Sequence, residues 1–382
     1  MKMKTPSTLR LFERWEEAAF VSRPNRFTLL LEKNGEQIRA YIPNTGRLEE
    51  YTVGGACFFV VPYRTKLFSY RAVAALYRGD IVFLDTITMN TVAEHLIQHG
   101  CFPGIGDQFR IRREKTMGKI RPDFFLAKNG LPPLLLEIKT CTLCHKGTAL
   151  FPDAPSKRAV HHIKEFGTFT ARGYATLMAF MVPNNSAIKF MPNIHTDAGF
   201  SEAFLINREI EFRALRVRFE DPVTVDLSSA QEIEIDYVRA AQNFTRSGAY
   251  ALILRNKRQK NIEIGRLGKI HFDEGYYVYI GSALGSLDAR IRRHTLKRKK
   301  QFWHIDYISP SVMELERTLP IRRKDRIESD LAKRVSRLCD RNVKGFGSSD
   351  STESSHLFYF RDPPHRNGRF MEIILDFKTF SE

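Results

Sequence analysis

RPDFFLAKNGLPPLLLEIKT, residues 121–140, reads as two apolar strands separated by a reversal. Asn129-Gly130 favours a tight turn, and Pro132-Pro133 keeps the following backbone from continuing as a helix. A hairpin centred at Gly130 or Leu131 pairs positions whose numbers sum to about 260–262, which sets Asp123 opposite residues 137–139. Glu137 and Lys139 are two apart on one strand, so both side chains leave the same face. Two carboxylates and an ammonium therefore meet at one end of a hairpin. Carboxylate oxygens suit a hard divalent cation such as Mg²⁺, and a neighbouring lysine can orient or activate a water. A surface ion pair would leave the same letters. Leu134, Leu135, Leu136 and Ile138, however, make the second strand apolar on both faces. A charged pair ending a buried strand needs partners or a metal, because lone buried charges are costly.

The composition bounds the setting. A chain of 382 residues accommodates two or three domains, and 43% hydrophobic with 27% charged residues is ordinary for a globular protein. The formal charge of +17 and pI near 9.7 are not ordinary, and they favour a polyanionic partner, nucleic acid ahead of membrane. Five scattered cysteines fit reduced thiols in a cytoplasm better than a disulfide framework. Cys141 and Cys144 form a CxxC without the second ligand pair of a zinc site. The first residues lack the apolar core of a secretory signal, and no run approaches the ~20 apolar residues of a membrane span.

Residues 10–85 read as short strands with Gly-containing turns, which suggests a small barrel of the OB type. Between them lies the polar loop PNTGRLEE, residues 43–50. Arg23, Arg26, Arg47, Arg64, Lys66 and Arg71, interspersed with Phe27, Tyr41, Tyr63 and Tyr70, would suit a single-strand-binding face. NTVAEHLIQHG has the period of an amphipathic helix with Val92, Leu96 and Ile97 on one side. Glu94 on that helix would add a third acid to Asp123 and Glu137, although such a residue is more often solvated. Beyond the hairpin, Asp153 is expected to cap a helix with Pro155 in its first turn. Lys157, Arg158, His161, His162 and Lys164 load that helix with positive charge, for solvent or for phosphates. YATLMAFMVP reads as a buried strand, and VTVDL at 223–227 closes the domain.

RPNRF, IPNTGRL, MNTVAEHLI, IRPDFFL, LEIKTCTL and FPDAPSKRAVHHI occur in an order that resembles the SfsA family, named for sugar fermentation stimulation, over residues 10–230. The resemblance implies an OB-like domain followed by a PD-(D/E)XK nuclease fold, with DNA binding and a DNA or RNA nuclease activity. It casts Asp123 and Glu137 as metal ligands, Lys139 as the catalytic lysine and Glu94 as the helical acid. Cys141 after the ExK strand, and Lys157 where acids are common, are small departures.

Residues 228–247 are polar, lack a core period and read as a linker with one helical turn. GAYALILRN and GYYVYIGSA then read as two strands, and LGSLDARIRRHTLKRKK as a basic amphipathic helix. Arg292, Arg293, Lys297 and Arg298 on it would contact phosphates. The pattern resembles the GIY-YIG nuclease superfamily over residues 245–360. That resemblance implies Tyr250 and Tyr279 as catalytic tyrosines, Arg290 as the phosphate-stabilising arginine and Glu328 as the metal ligand. The spacer before Arg290 is one residue long for the superfamily. Serines also stand within residues 347–351 where related sequences carry cysteines, which leaves His304, Asp306 and His356 in that region.

The resulting expectation is a multidomain α/β protein. Residues 1–85 form an OB-like β-barrel that binds nucleic acid through Arg26 and Arg47. Residues 86–228 form a PD-(D/E)XK nuclease-like domain, with Arg158 and His162 as further nucleic-acid contacts. A linker spans 229–244, and 245–382 form a GIY-YIG-like α/β domain. The expected function is a cytoplasmic DNA or RNA nuclease dependent on Mg²⁺ or Mn²⁺. The alternative is a non-catalytic nucleic-acid-binding regulator that keeps a nuclease fold. A hydrolase of small phosphorylated substrates would leave the basic excess unexplained.

Overall fold

A computed structural model describes residues 7–106, 108–347 and 354–380, so the serines at 348, 349 and 351 lie outside the described residues. The chain divides into two units, Met1–Gln242 and Asn243–Glu382.

In the first unit β1 (Thr8–Arg10) precedes six strands: β2 (Glu16–Asn25), β3 (Thr28–Lys33), β4 (Glu36–Tyr41), β5 (Cys57–Pro62), β6 (Tyr70–Tyr77) and β7 (Asp80–Phe83). They pair in the order β4-β3-β2-β5-β6-β7, and parallel pairing of β4 with β6 closes five of them into the expected barrel. Alternation places Leu29, Leu31, Ala40, Phe58 and Val60 inside it. Loop 43–50 is built into the fold. Arg23 donates to the carbonyls of Asn44 (2.9 Å), Gly46 (2.7 Å), Arg47 (2.6 Å) and Arg26 (2.9 Å). Leu48 N–H donates to Asp153 Oδ2 at 2.8 Å, and a Cβ on Gly46 would stand 2.5 Å from that oxygen.

The remaining elements of this unit are α1 (Thr86–Gln98), β8 (Arg110–Arg113), β9 (Phe124–Ala127), β10 (Leu134–Thr140), β11 (Cys144–His145), β12 (Thr148–Phe151), α2 (Lys157–Thr170), β13 (Ala175–Val182), β14 (Lys189–Pro192), α3 (Ala198–Ile206), β15 (Glu211–Asp221), β16 (Thr224–Ile235) and α4 (Tyr237–Asn243). Ten strands form one sheet in the order β11-β12-β14-β16-β15-β13-β10-β9-β8, with β1 paired to β16. Strand β10 runs parallel to β13, and β13 to β15. Helix α1 buries Met89, Val92, Ala93, Leu96 and Ile97 against one face together with Leu136 and Ile138. Helices α2 and α3 cover the other face, where Leu135 lies. The period of 2 therefore sends Glu137 and Lys139 toward α2.

Two expectations change here. Residues 229–244 are not a linker: β16 runs to Ile235, held by β15 and β14, and α4 follows. Their polarity reflects a strand with one solvated face. Helix α2 is capped by Ser156, whose Oγ accepts from Ala159 N–H at 3.2 Å, while Asp153 is taken by loop 43–50.

The second unit has a five-stranded antiparallel sheet, with β17 (Gly248–Asn256), β20 (Gly275–Ala283), β21 (Glu314–Arg322), β22 (Arg341–Asn342) and β23 (Leu357–Phe360) in the order β21-β17-β20-β23-β22. A hairpin of β18 (Lys260–Glu263) and β19 (Lys269–Phe272) joins β17 to β20. Helices α5 (Leu287–Thr295), α6 (Glu328–Ser336) and α7 (Gly368–Thr379) complete it. The two tyrosine-bearing strands pair as expected, with Tyr250 opposite Gly281. A side chain on Gly281 would meet the Tyr250 hydroxyl at 2.5 Å, so this glycine permits the close approach. The basic helix is shorter than its charge run: α5 ends at Thr295, and residues 297–300 follow it.

Candidate functional site

The hairpin has the register its turn demands. Leu134 pairs with Leu126 and Leu136 with Phe124, so Glu137 stands across from Asp123. Asp123 is fixed from two elements: Ile138 N–H donates to its Oδ2 at 2.8 Å, and the Asn90 amide on α1 donates to its Oδ1 at 2.9 Å. Glu137 is buried. Its Oε1 receives the Lys139 ammonium and lies 2.8 Å from His162 Nδ1. Its Oε2 is buried without a hydrogen-bond partner among the described residues.

Burial acts against charge on both acids. In Asp123, burial and then the charge of Glu137 push the pKa up to about 6, although Lys139 and the Ile138 and Asn90 hydrogen bonds pull the other way. In Glu137, burial also pushes upward, but Lys139 and His162 outweigh it and the pKa falls to about 2. The site thus holds one firmly ionised carboxylate with a bare oxygen beside a second that resists ionising. A divalent cation would relieve both the bare oxygen and the repulsion, so the donor set fits a hard metal ion.

Several expected site residues do other work. Glu94 does not join the pair; its carboxylate meets Arg113 of β8 at 3.2 Å. No group of three or more His, Cys, Asp or Glu side chains among the described residues is gathered for a metal. His162 is buried against Glu137 and is no phosphate contact, whereas Arg158 is exposed on α2. In the barrel, Arg71 pairs with the α1 cap Asp85 and donates to Thr88 at 3.2 Å, and Arg23 holds loop 43–50. Arg26 is exposed over the Phe27 ring at 5.0 Å, and Arg47 is half-buried. Asn90 is the participant the sequence reading missed. It lies one turn before Glu94 on the same helix face, and that spacing was the available signal.

In the second unit a cavity of about 660 Å³ brings together Tyr250, Tyr279, Arg290 and Glu328. Tyr250 and Tyr279 are buried, and burial raises both phenol pKa values. The Tyr250 hydroxyl hydrogen-bonds His294 Nε2 at 2.8 Å. Burial, followed by the charge of Lys299, lowers the pKa of His294 to about 4 and keeps that ring neutral. Arg290 stacks over Trp303 at 4.1 Å. Ser282 and His356 contact the two oxygens of Glu328, His356 at 3.3 Å, and they outweigh burial to lower its pKa. Of the expected phosphate contacts, Arg292, Lys297 and Arg298 are exposed, but Arg293 is engaged with buried Asp306 at 2.7 and 2.9 Å.

Three family models match successive parts of the chain. The model of the SfsA N-terminal OB domain matches residues 21–84, and that of the sugar fermentation stimulation protein RE domain matches 87–222. A domain of unknown function, DUF123, matches 249–378. A sugar fermentation stimulation protein homolog of Moorella thermoacetica is 35% identical over 220 residues, covering 55% of this chain and 93% of its own. The Clostridium tetani homolog is 31% identical over 192 residues, 50% of this chain and 84% of the relative. A solved structure, described as Pyrococcus furiosus SfsA in complex with Ca²⁺, shares 26% identity with a TM-score of 0.53 over 60% of this chain and 99% of that one.

Proposed function

The chain belongs to the sugar fermentation stimulation protein family, and on that footing we propose that its first unit hydrolyses phosphodiester bonds in DNA or RNA with Mg²⁺ or Mn²⁺ held by Asp123 and Glu137. The observation that carries this reading is the bare, buried Oε2 of Glu137 set across a hairpin from Asp123, with Lys139 alongside. The Pyrococcus furiosus relative is described with Ca²⁺, an oxygen-seeking cation of the kind this donor set would take. When bound, the cation would polarise a phosphoryl oxygen and lower the pKa of a coordinated water. Asn90 and Ile138 hold the Asp123 carboxylate in place, and His162 does the same for Glu137 from α2. Lys139, mostly buried and tied to Glu137, places a positive charge where the phosphate gains negative charge. The OB barrel, with exposed Arg26, and the exposed Arg158 supply grip on the backbone, in keeping with the charge of +17.

Cleavage of single- and double-stranded DNA and RNA with Mg²⁺, Mn²⁺ or EDTA tests this. Asp123→Ala and Lys139→Ala should abolish cutting and leave most binding in place. If both variants cut like the natural chain, the assignment is wrong. Binding that responds to salt but never to the metal would favour the non-catalytic regulator instead.

The second unit carries a specific observation of its own, the cavity that joins Tyr250, Tyr279, Arg290 and Glu328. We read it as a second phosphodiester site, with Arg290 clamping the phosphate and the tyrosines handling the proton. A cation on Glu328 would compete with His356, which already contacts that carboxylate. Separate Tyr279→Phe and Lys139→Ala variants assign any cut to one unit.

A further inference from the structure

Phe302 is 74% exposed and Leu284 equally so, and both line the cavity of the second unit. Large apolar side chains are ordinarily withdrawn from water, so two of them on the lining of a polar cavity call for a reason. Phe302 is not there through slack in the chain. The Phe302 N–H donates to Asp306 Oδ2 at 3.0 Å, and Trp303 N–H donates to the same oxygen at 3.0 Å. Asp306 is itself buried and neutralised by Arg293 at 2.7 Å and Lys299 at 3.5 Å. The Phe302 ring packs edge-on against Trp303, with centroids 5.2 Å apart, and Arg290 lies over that indole at 4.1 Å. A buried carboxylate therefore holds the backbone that carries an outward-facing aromatic ring, and one indole separates that ring from the arginine at the cavity.

From this geometry we propose that the second unit takes nucleic acid through an unpaired nucleotide, whose base stacks on Phe302 while its phosphate reaches Arg290. This rests on reading the cavity as a phosphodiester site. Three features agree on the ligand. Exposed Lys324 and Arg326 on the cavity wall favour a polyanion. The aromatic ring offers a π-face, which any base can use. A cavity of about 660 Å³ admits a projecting nucleotide, but not the side of a duplex, whose bases already cover one another. Using Phe302 on paired DNA would first require unstacking.

The chain has two tryptophans, Trp15 and Trp303, so Trp15→Phe leaves a single indole on the wall of this cavity. The full chain carrying Trp15→Phe is titrated in EDTA with a short oligothymidylate and with a blunt duplex of equal length, following tryptophan fluorescence. The same titrations on the chain with Trp15 intact follow 2-aminopurine placed in the oligonucleotide, which guards against any loss of fold in the variant. The single strand should quench both reporters at concentrations where the duplex does not. Phe302→Ala should weaken the midpoint about tenfold, and Phe302→Tyr should keep it within about twofold. Equal responses to single strand and duplex, or an unchanged midpoint in Phe302→Ala, would overturn the unpaired-nucleotide inference and leave the phosphodiester site standing. No response to either would remove both.

Discussion

The Asn90 amide donates to Asp123 Oδ1 at 2.9 Å, so helix α1 reaches the acidic hairpin through an amide rather than through a carboxylate. This bond favours the charged form of Asp123, which burial opposes. Asn90→Leu removes it, and the pKa should move further above 6. Cleavage should fall roughly 10- to 100-fold, the range for a lost hydrogen bond to a charged group. The acid limb of its pH profile should shift to higher pH, and nucleic-acid binding should change little. A pH–rate series on the variant and the natural chain measures both effects.

Two arginines of the basic segment separate by role. Arg293→Ala strips the two-pronged partner from the buried Asp306 side chain and leaves it Lys299 at 3.5 Å, and should cost about 1–3 kcal/mol in urea unfolding. Arg298→Ala removes an exposed charge, should leave stability unchanged, and should reduce the slope of log affinity against log salt by about 0.9.

His294 ties stability to pH. Its folded pKa of about 4 lies below the ordinary value of 6.5, so an unfolded chain binds a proton first as pH falls. Its contribution is complete above pH 6.5 and is lost as pH drops through 4, amounting to about 3 kcal/mol. Urea midpoints at pH 7.5 and pH 5 should therefore differ less in His294→Gln than in the natural chain.

Gly46→Ala places a methyl 2.5 Å from Asp153 Oδ2 and 2.9 Å from Asn44 Oδ1. The loop must lift from the central domain, and we expect a loss of about 1–3 kcal/mol by denaturant titration. Gly35→Ala is no match for it as a control, because Gly35 has open space but a φ of +79°; Gly106→Ala, with open space and no such φ, should be neutral.

The hairpin was legible because its information is local: a turn pair, two prolines and a period of 2 determine which residues face each other. Barrel, helix α1 and the paired tyrosine strands follow from similar short-range patterns. What failed was choice of partner. Asn90 and Glu94 share a helix face, and only the position of Arg113 on β8, set by sheet pairing, decides which of them turns to Asp123. His162 has charged neighbours in sequence, although Ala159, His162, Ile163, Phe166 and Phe169 form one buried stripe at helical spacing. Arg23, Arg71 and Arg293 are likewise only charge in the sequence, whereas each meets an acceptor distant in sequence or across a turn. The polar composition of 229–244 hid a strand because its other face is solvated.

Strand β1 pairs with β16, Thr8 against Asp226 and Arg10 against Thr224. On the ribosome the barrel strands, all local in sequence, emerge with their partners already made. The segment before them must wait until the far end of the central sheet has been synthesised. Trimming the residues of β1 should therefore spare the early folding of the barrel and remove the last closure of the sheet, which leaves that edge of β16 open to other chains.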